Sequence, residues 1–303
     1  MSAPTTTPVR PAVPETVTTM SVVITHYRTP EVLYRCLDRL MAVPSDRLAD
    51  VVVVDGDPLD RLDEECTRRW PRVRYVAVPA NVGFGGLVNI GVRSTRSSYV
   101  LVLNADVRID AGCLEELCAH LDATPDCGLV APQLRNDDGS LQDSTFAFHR
   151  PLTVLHRRTP LGQTRPGQNE LERFLDRGRR DAAVAGGQPL DVDWVLGAAM
   201  GVRRSAIDEV GPMDSSYFLY FEDVDWCFRF WQAGWRVTYL PTARGDHSHG
   251  RASAQGGALA PLLNPLTRRH IRSAVRFFVK HGSHPIRVQH AGEHSAARQA
   301  VAS

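Results

Sequence analysis

Carboxylates stand at three places along this chain where they could meet a ligand. Asp106 ends the triplet Asn104-Ala-Asp106, just after the apolar run Tyr99 to Leu103. A carboxylate at a strand end can hold Mg2+ or Mn2+ by oxygen ligation, and a metal held so bridges diphosphate oxygens. The competing role is to cap the next helix, for which Asp110 is better placed. Asp55 follows four valines. It can accept a hydrogen bond from a nucleobase imide or a ribose hydroxyl, or it can simply shape the turn Asp55-Gly-Asp-Pro58. Glu222, Asp223 and Asp225 gather at a predicted helix start behind the apolar run Tyr217 to Phe221. Acids there complement the helix dipole. Emerging from aromatic surroundings, one of them can also have its pKa raised by desolvation, which suits general-base work on a hydroxyl. His247 and His249 follow a later predicted strand, where a neutral imidazole completes a metal site with Asp106 or serves packing alone.

The glycines of Gly83-Phe-Gly-Gly86 do not form a dinucleotide fingerprint, because Val88 stands where G-x-G-x-x-G needs its third glycine. No P-loop motif occurs either. These glycines let a backbone approach a ligand or start a helix.

Something must bring these residues together, and the hydrophobic pattern says what. Short β-branched runs (Ser21–Thr25, Val51–Val54, Val73–Val78, Tyr99–Leu103) alternate with amphipathic stretches at 31–41, 59–70, 86–93 and 111–121. Near-continuous apolar strands separated by helices predict an α/β fold, a mainly parallel sheet with helices on both faces, closed by a short strand near 128–132. In such sheets ligands bind beyond the carboxyl ends of the strands. Thr25-His-Tyr27, Asp55, Asn81 to Gly86 and Asn104 to Asp106 all sit there. Between about 140 and 190 the pattern dissolves into Pro, Gly and Arg, with eight Arg against three acids from Thr145 to Arg180, which reads as a partly mobile insert. Order resumes at Val192 to Val195. A helix then runs from Glu222 to a stop at Gly234, and a strand from Arg236 ends at Pro241. The stretch 261–289 carries six Lys and Arg and no acid, and reads as a basic amphipathic helix.

Composition narrows the function classes. Across 303 residues, 35 Lys and Arg face 34 Asp and Glu, so the net charge of +1 gives no support to a nucleic-acid partner. No apolar run exceeds five residues, against the roughly 18 to 20 that cross a bilayer. The first residues, rich in Pro and Thr without an apolar stretch, read as a flexible arm rather than a signal peptide, so a cytoplasmic protein is expected. The six cysteines show no C-x-x-C and read as reduced core residues.

Taken in order, Ser-Val-Val-Ile-Thr25, Val-Val-Val-Val-Asp55, Asn81-Val-Gly-Phe-Gly-Gly86, Leu-Asn-Ala-Asp106, Gly197-Ala-Ala-Met200, Phe-Leu-Tyr-Phe-Glu-Asp223-Val-Asp and His247-Ser-His-Gly resemble the family 2 inverting glycosyltransferases. The resemblance is strongest to the bacterial rhamnosyltransferase branch. It implies a GT-A fold, with a nucleotide-binding half continuous with an acceptor-binding half. By the same resemblance Asp55 contacts the base, Thr25 and Tyr27 line the base and ribose pocket, and Asn81, Gly83 and Asn104 lie beside the nucleotide-sugar. Asp106 and His247 hold Mg2+ or Mn2+, with His249 the competitor. Trp194, Gly197, Ala198 and Met200 border the acceptor or sugar, and Asp223, paired with Glu222, is the catalytic base. Asn104 departs from the family by replacing a carboxylate, which leaves Asp106 as the only acidic ligand of the triplet.

The expected organisation is a disordered arm at 1–19 and a glycosyltransferase domain at 20–253. That domain divides into a nucleotide-binding half at about 20–135, an insert at about 140–190 and a catalytic half at about 191–253. A basic segment follows at 254–289, then a disordered tail at 290–303. The function implied is single-displacement transfer of a sugar, rhamnose from dTDP-rhamnose as first choice, to a glycan or polyprenyl-diphosphate-linked acceptor in cell-envelope polysaccharide synthesis. The basic segments would then hold the enzyme against an anionic membrane surface. Two other readings compete: a non-catalytic nucleotide-sugar-binding protein, suggested by Asn104, and a metal-dependent phosphohydrolase built on Asp106, Asp223 and His247.

Overall fold

The computed structural model describes residues 18–42, 44–58, 62–158, 160–248 and 265–282. Strands β1 (Met20–His26), β2 (Leu48–Asp55), β3 (Val73–Ala77) and β4 (Tyr99–Asn104) alternate with helices α1 (Pro30–Ala42), α2 (Leu62–Arg69) and α3 (Gly83–Arg93). The four strands pair in parallel in the order β3-β2-β1-β4. Their β-branched composition follows from burial on both faces: Val22 and Ile24 pack with Leu33 and Leu37 of α1, while Val23 packs with Leu87 and Val88 of α3. Register places Thr25 beside Asn104, and His26 beside Asp55, at one edge of the sheet.

The chain continues through β5 (Val107–Ile109), α4 (Cys113–Ala123), β6 (Cys127–Arg135), β7 (Thr145–Phe146), α5 (Pro151–Arg158), a 3-10 turn at Pro160–Gln163, α6 (Arg165–Leu175) and α7 (Arg177–Gly186). There follow β8 (Leu190–Asp191), β9 (Trp194–Val195), β10 (Ala199–Arg203), α8 (Arg204–Val210), α9 (Glu222–Gln232), β11 (Arg236–His247) and α10 (Pro265–His281). Beyond β4 the sheet becomes mixed and continues β10-β6-β11-β5, with β8 on β11; β7 and β9 form a separate ribbon. Among the described residues this makes nine strands in one sheet. All six cysteines are buried and free. No helix among the described residues is long and apolar enough to cross a membrane.

Four local expectations need correction. The strand expected near 128–132 runs over Cys127–Arg135. β11 does not end at Pro241: its register on β6 jumps from Leu240↔Pro132 to Arg244↔Gln133, so the proline sits in an irregularity where no ladder N–H is required. Asp110 does not cap α4, whose N-cap is Gly112; its carboxylate instead accepts from Arg135 at 2.8 and 2.9 Å. The insert is helical. Thr164 Oγ1 accepts from the Gly167 amide at 3.3 Å and Pro166 lies in the first turn of α6, so residues that read as loop-formers start a helix. Phe146, Phe148 and Phe174 then bury the insert in the same apolar core as Trp194 and Phe228.

Helix α10 is locked onto α9 through a buried acid. Asp225, fully buried, accepts from Arg229 Nε at 2.8 Å and Lys280 Nζ at 2.8 Å, and its Oδ1 lies 2.7 Å from His281 Nε2. Burial alone would raise this carboxyl, but its hydrogen bonds with His281 and Lys280 and the charge of Arg229 hold it below the ordinary value. One of the three acids of the motif is therefore structural. Asp225→Asn should cost about 3 kcal/mol, because removing one member of a buried charged network strands its partners; a fall in the urea midpoint at constant slope measures it. The remainder of the basic segment, residues 1–17 of the arm, the tail at 290–303 and His249 lie outside the described residues.

Candidate active site

At the end of β1, Thr25 Oγ1 donates to Asn104 Oδ1 at 3.3 Å. His26 Nε2 accepts from the Thr29 amide at 3.0 Å, so Nδ1 carries the ring proton and faces Asp55 Oδ2 at 3.0 Å. Tyr75 donates its hydroxyl to the same oxygen at 2.5 Å, and the Asp57 amide donates to Oδ1 at 3.0 Å. Burial works to raise the Asp55 carboxyl, but the His26, Tyr75 and Asp57 hydrogen bonds outweigh it and hold it below the ordinary value. Asp55 is fully buried and does not line the cavity; it supports His26, which does. This corrects the expectation that Asp55 itself faces the ligand. The cavity, about 770 Å³, is walled by Thr25, Tyr27, Asn81, Phe84, Asn104 and Asp106, among others. Gly83 is required by geometry: its φ is +78°, and a Cβ there would stand 2.3 Å from the Phe218 carbonyl oxygen. Its amide donates to Asn81 Oδ1 at 2.9 Å, which fixes the turn into α3.

Antiparallel pairing of β5 with β11 sets His247 opposite Val107, and so brings its ring beside Asp106. Nε2 of His247 lies 3.3 Å from Asp106 Oδ1. The proton on that imidazole can be placed. Gln142 Nε2 donates to Asn136 Oδ1 at 3.0 Å, which turns Gln142 Oε1 toward His247 Nδ1 at 2.8 Å. Nδ1 is therefore the donor to Gln142, and Nε2 is turned toward Asp106, whose Oδ1 is buried without a hydrogen-bond partner among the described residues. An imidazole nitrogen and a carboxylate oxygen set side by side in this way are a donor pair that suits a cation between or beside them. Among the described residues no group of three His, Cys, Asp or Glu side chains converges to hold a metal ion, and Asp106 with His247 is a two-donor pair. Gln142 carries no sequence signal and was not anticipated. Gln142→Leu should weaken divalent-ion affinity about 10- to 100-fold, by freeing the ring orientation and tautomer; calorimetric Mn2+ titration checks it.

A second cavity, about 330 Å³, shares Phe84, Asn104 and Leu219 with the first. Trp194, Gly197, Ala198, Glu222, Asp223 and His247 line it. Met200 does not. It is fully buried on β10 opposite Val102 and belongs to the core, correcting its expected place in the sugar pocket. Asp223 Oδ2 accepts from the Gly197 amide at 3.0 Å, and Oδ1 from the Val224 amide at 2.9 Å. A Cβ at Gly197 would come within 2.9 Å of the Phe84 ring, so any larger residue there requires that ring to shift. Glu222 is 4% exposed and its Oε2 finds no partner among the described residues. Tyr220 and Phe221, immediately before the pair, both hold φ near +70°, an unfavourable conformation for side-chain-bearing residues that turns the acids toward the cavity. Burial lifts both carboxyls: Asp223 to about 6, and Glu222, which also feels the Asp223 charge, to about 8. With two amides donating to Asp223, it is the one that ionises first, and Glu222 keeps its proton.

Comparison with known proteins gives the family and the fold. The family model described as Glycosyl transferase family 2 matches residues 21–179. An N-acetylglucosaminyl-diphospho-decaprenol L-rhamnosyltransferase of Mycobacterium tuberculosis is 28% identical over 239 residues, 73% of this chain and 75% of the relative. The low-salt glycan biosynthesis hexosyltransferase Agl10 of Haloferax volcanii is 24% identical over 214 residues, 69% of this chain and 61% of its own. Among solved structures, GalNAc-T7 with UDP, GalNAc and Mn2+ superposes with a TM-score of 0.60 at 15% identity, covering 86% of this chain; the chain spans about half (48%) of that structure. A mannosyltransferase of Pyrobaculum calidifontis in complex with GDP-Man and Mn2+ gives 0.52 at 16% identity, covering 95% of this chain and 81% of the other. These likenesses support a GT-A fold, and the chain belongs to glycosyl transferase family 2.

Proposed function

We propose that the protein is an inverting glycosyltransferase that moves a hexose, with rhamnose from dTDP-rhamnose the favoured donor, onto a hydroxyl of a glycan or polyprenyl-diphosphate-linked acceptor in cell-envelope polysaccharide synthesis. The observation that carries this reading is the placement of Asp223 on the wall of the second cavity, which shares Phe84, Asn104 and Leu219 with the first, its oxygens fixed by the Gly197 and Val224 amides. The name of the Mycobacterium relative supports the choice of sugar and lipid-linked acceptor.

In this reading the first cavity takes the nucleoside diphosphate. Thr25 and Tyr27 flank its base and ribose, with Asn81, Gly83 and Asn104 beside the sugar. Asp106 and His247 would hold the divalent cation, Mg2+ or Mn2+. When bound, such an ion offsets negative charge on the leaving diphosphate. Asp223 accepts the proton of the acceptor hydroxyl while that oxygen bonds to the anomeric carbon; the bond to the diphosphate breaks and its electron pair leaves with the nucleoside diphosphate. Glu222, still protonated, withholds a second negative charge from the pocket. Screening nucleotide sugars for thermal stabilisation with Mn2+ tests the donor: dTDP-rhamnose should raise the melting temperature above dTDP alone. Equal shifts for all donors would remove the sugar assignment.

The outer side of α10 carries Arg268, Arg272 and Arg276 with Val275 57% and Val279 81% exposed. This face supports peripheral binding to an anionic cytoplasmic membrane surface. Co-sedimentation should be stronger with vesicles containing anionic lipid than with neutral ones, and equal recovery contradicts it.

A further inference from the structure

The second cavity holds polar side chains that the transfer mechanism leaves unused, His149 among them. His149, in the insert just before α5, lines this cavity with Asp223 and is 4% exposed. Neither ring nitrogen has a hydrogen-bond partner among the described residues. The rings packed against it do not supply one. The imidazole packs 4.7 Å from Phe174, 5.4 Å from Trp194 and 4.7 Å from Phe221, centroid to centroid, and the Trp194 indole N–H is already given to the Ala147 carbonyl at 3.0 Å. Burial, with Arg157 adding to it, holds the ring neutral by pushing its pKa well below the usual value. A neutral imidazole has one donor and one acceptor, and buried polar groups of this kind are normally satisfied. A histidine adopted only for packing would be better served by phenylalanine.

We propose that His149 is a sugar-binding residue: its imidazole hydrogen-bonds a hydroxyl of the pyranose that enters the carboxylate cavity, in a box of aromatic rings that favours the apolar face of that sugar. The proposal rests on the glycosyltransferase reading and extends it, since it makes the insert part of the substrate site. The same chemistry is offered by a donor hexose and by the terminal sugar of an acceptor.

His149→Phe keeps the ring packing and removes both nitrogens, so a merely structural histidine predicts no kinetic change. The expected result has three parts. The variant melts no lower than wild type and binds dTDP with Mn2+ equally well. KM for one sugar substrate rises about ten-fold or more, the donor's or that of a short-chain N-acetylglucosaminyl-diphospho-prenol, and which one rises tells the two sources apart. In wild type, the imidazole 15N signals, assigned by their loss in the variant, shift when either sugar ligand is added. Unchanged KM and kcat in the variant, or imidazole signals indifferent to both ligands, overturn the proposal. Because the 15N readout needs binding and no turnover, wild-type protein that binds sugar ligands at His149 without transferring them would count against the glycosyltransferase reading and not against this one.

Discussion

Asp223→Asn should reduce sugar transfer about 10²- to 10⁴-fold, the range for loss of a general base, while binding of the nucleoside diphosphate is unchanged. The amide is nearly the same shape, though its one oxygen keeps only one of the two bonds from Gly197 and Val224, so unchanged nucleoside diphosphate binding is the control that the loss reports chemistry and not collapse of the turn. Two pH effects accompany it. In wild type the rate rises with pH through about 6, as Asp223 loses its proton, and this limb disappears in the variant. Stability moves the other way. Both carboxyls of the pair have values raised by burial, so the folded chain holds protons that the unfolded chain releases. Stability is then lost as pH climbs from the ordinary carboxylate range toward the folded values. Asp223→Asn removes part of that loss, and the inactive variant should melt higher than wild type at pH 8. An activity site stabilised by losing its function is the expected trade for a carboxylate held in a buried site. A variant that melts lower and still transfers at wild-type rate would remove Asp223 from this role.

Asp106→Asn should abolish most of the advantage Mn2+ gives to nucleoside diphosphate binding, a loss of several kcal/mol or about a hundred-fold or more in affinity. With Asn already at 104, Asp106 supplies the carboxylate of the triplet, and its Oδ1 is buried without a hydrogen-bond partner among the described residues. His247→Ala should lose a similar amount. The double variant should lose little more than either single change, because the two donors act on one ion. Titration calorimetry of dTDP with Mn2+ and with EDTA measures all three. Equal Mn2+ dependence in wild type and Asp106→Asn would contradict the assignment.

Much of this site was legible because strands speak locally. Four apolar runs ended in polar residues, and a parallel sheet places all such ends together, so Thr25, Asn104 and Asp106 could be assembled from pattern alone. The acidic motif was half legible: Asp223 and Asp225 are equivalent in sequence, yet one faces a cavity and the other is bound by Arg229 one turn along the same helix and by Lys280 and His281 from across the fold. Asp55 was misplaced for a related reason, since nothing near it in sequence announces that His26 and Tyr75 will enclose it. The three-residue β5 is too short to show a period, and without it the meeting of Asp106 with His247 has no visible cause. The insert hid its helices behind prolines and glycines that sit at their starts. It therefore hid His149 and Gln142, whose importance arises only from tertiary contacts.

The central claim is a single displacement in which Asp223 acts as base and no covalent sugar–enzyme bond forms. The anomeric configuration of the product, read by NMR from the one-bond carbon–proton coupling and compared with that of the donor, tests it most directly. The account predicts inversion. Retention of the donor's configuration would require two displacements and would contradict it.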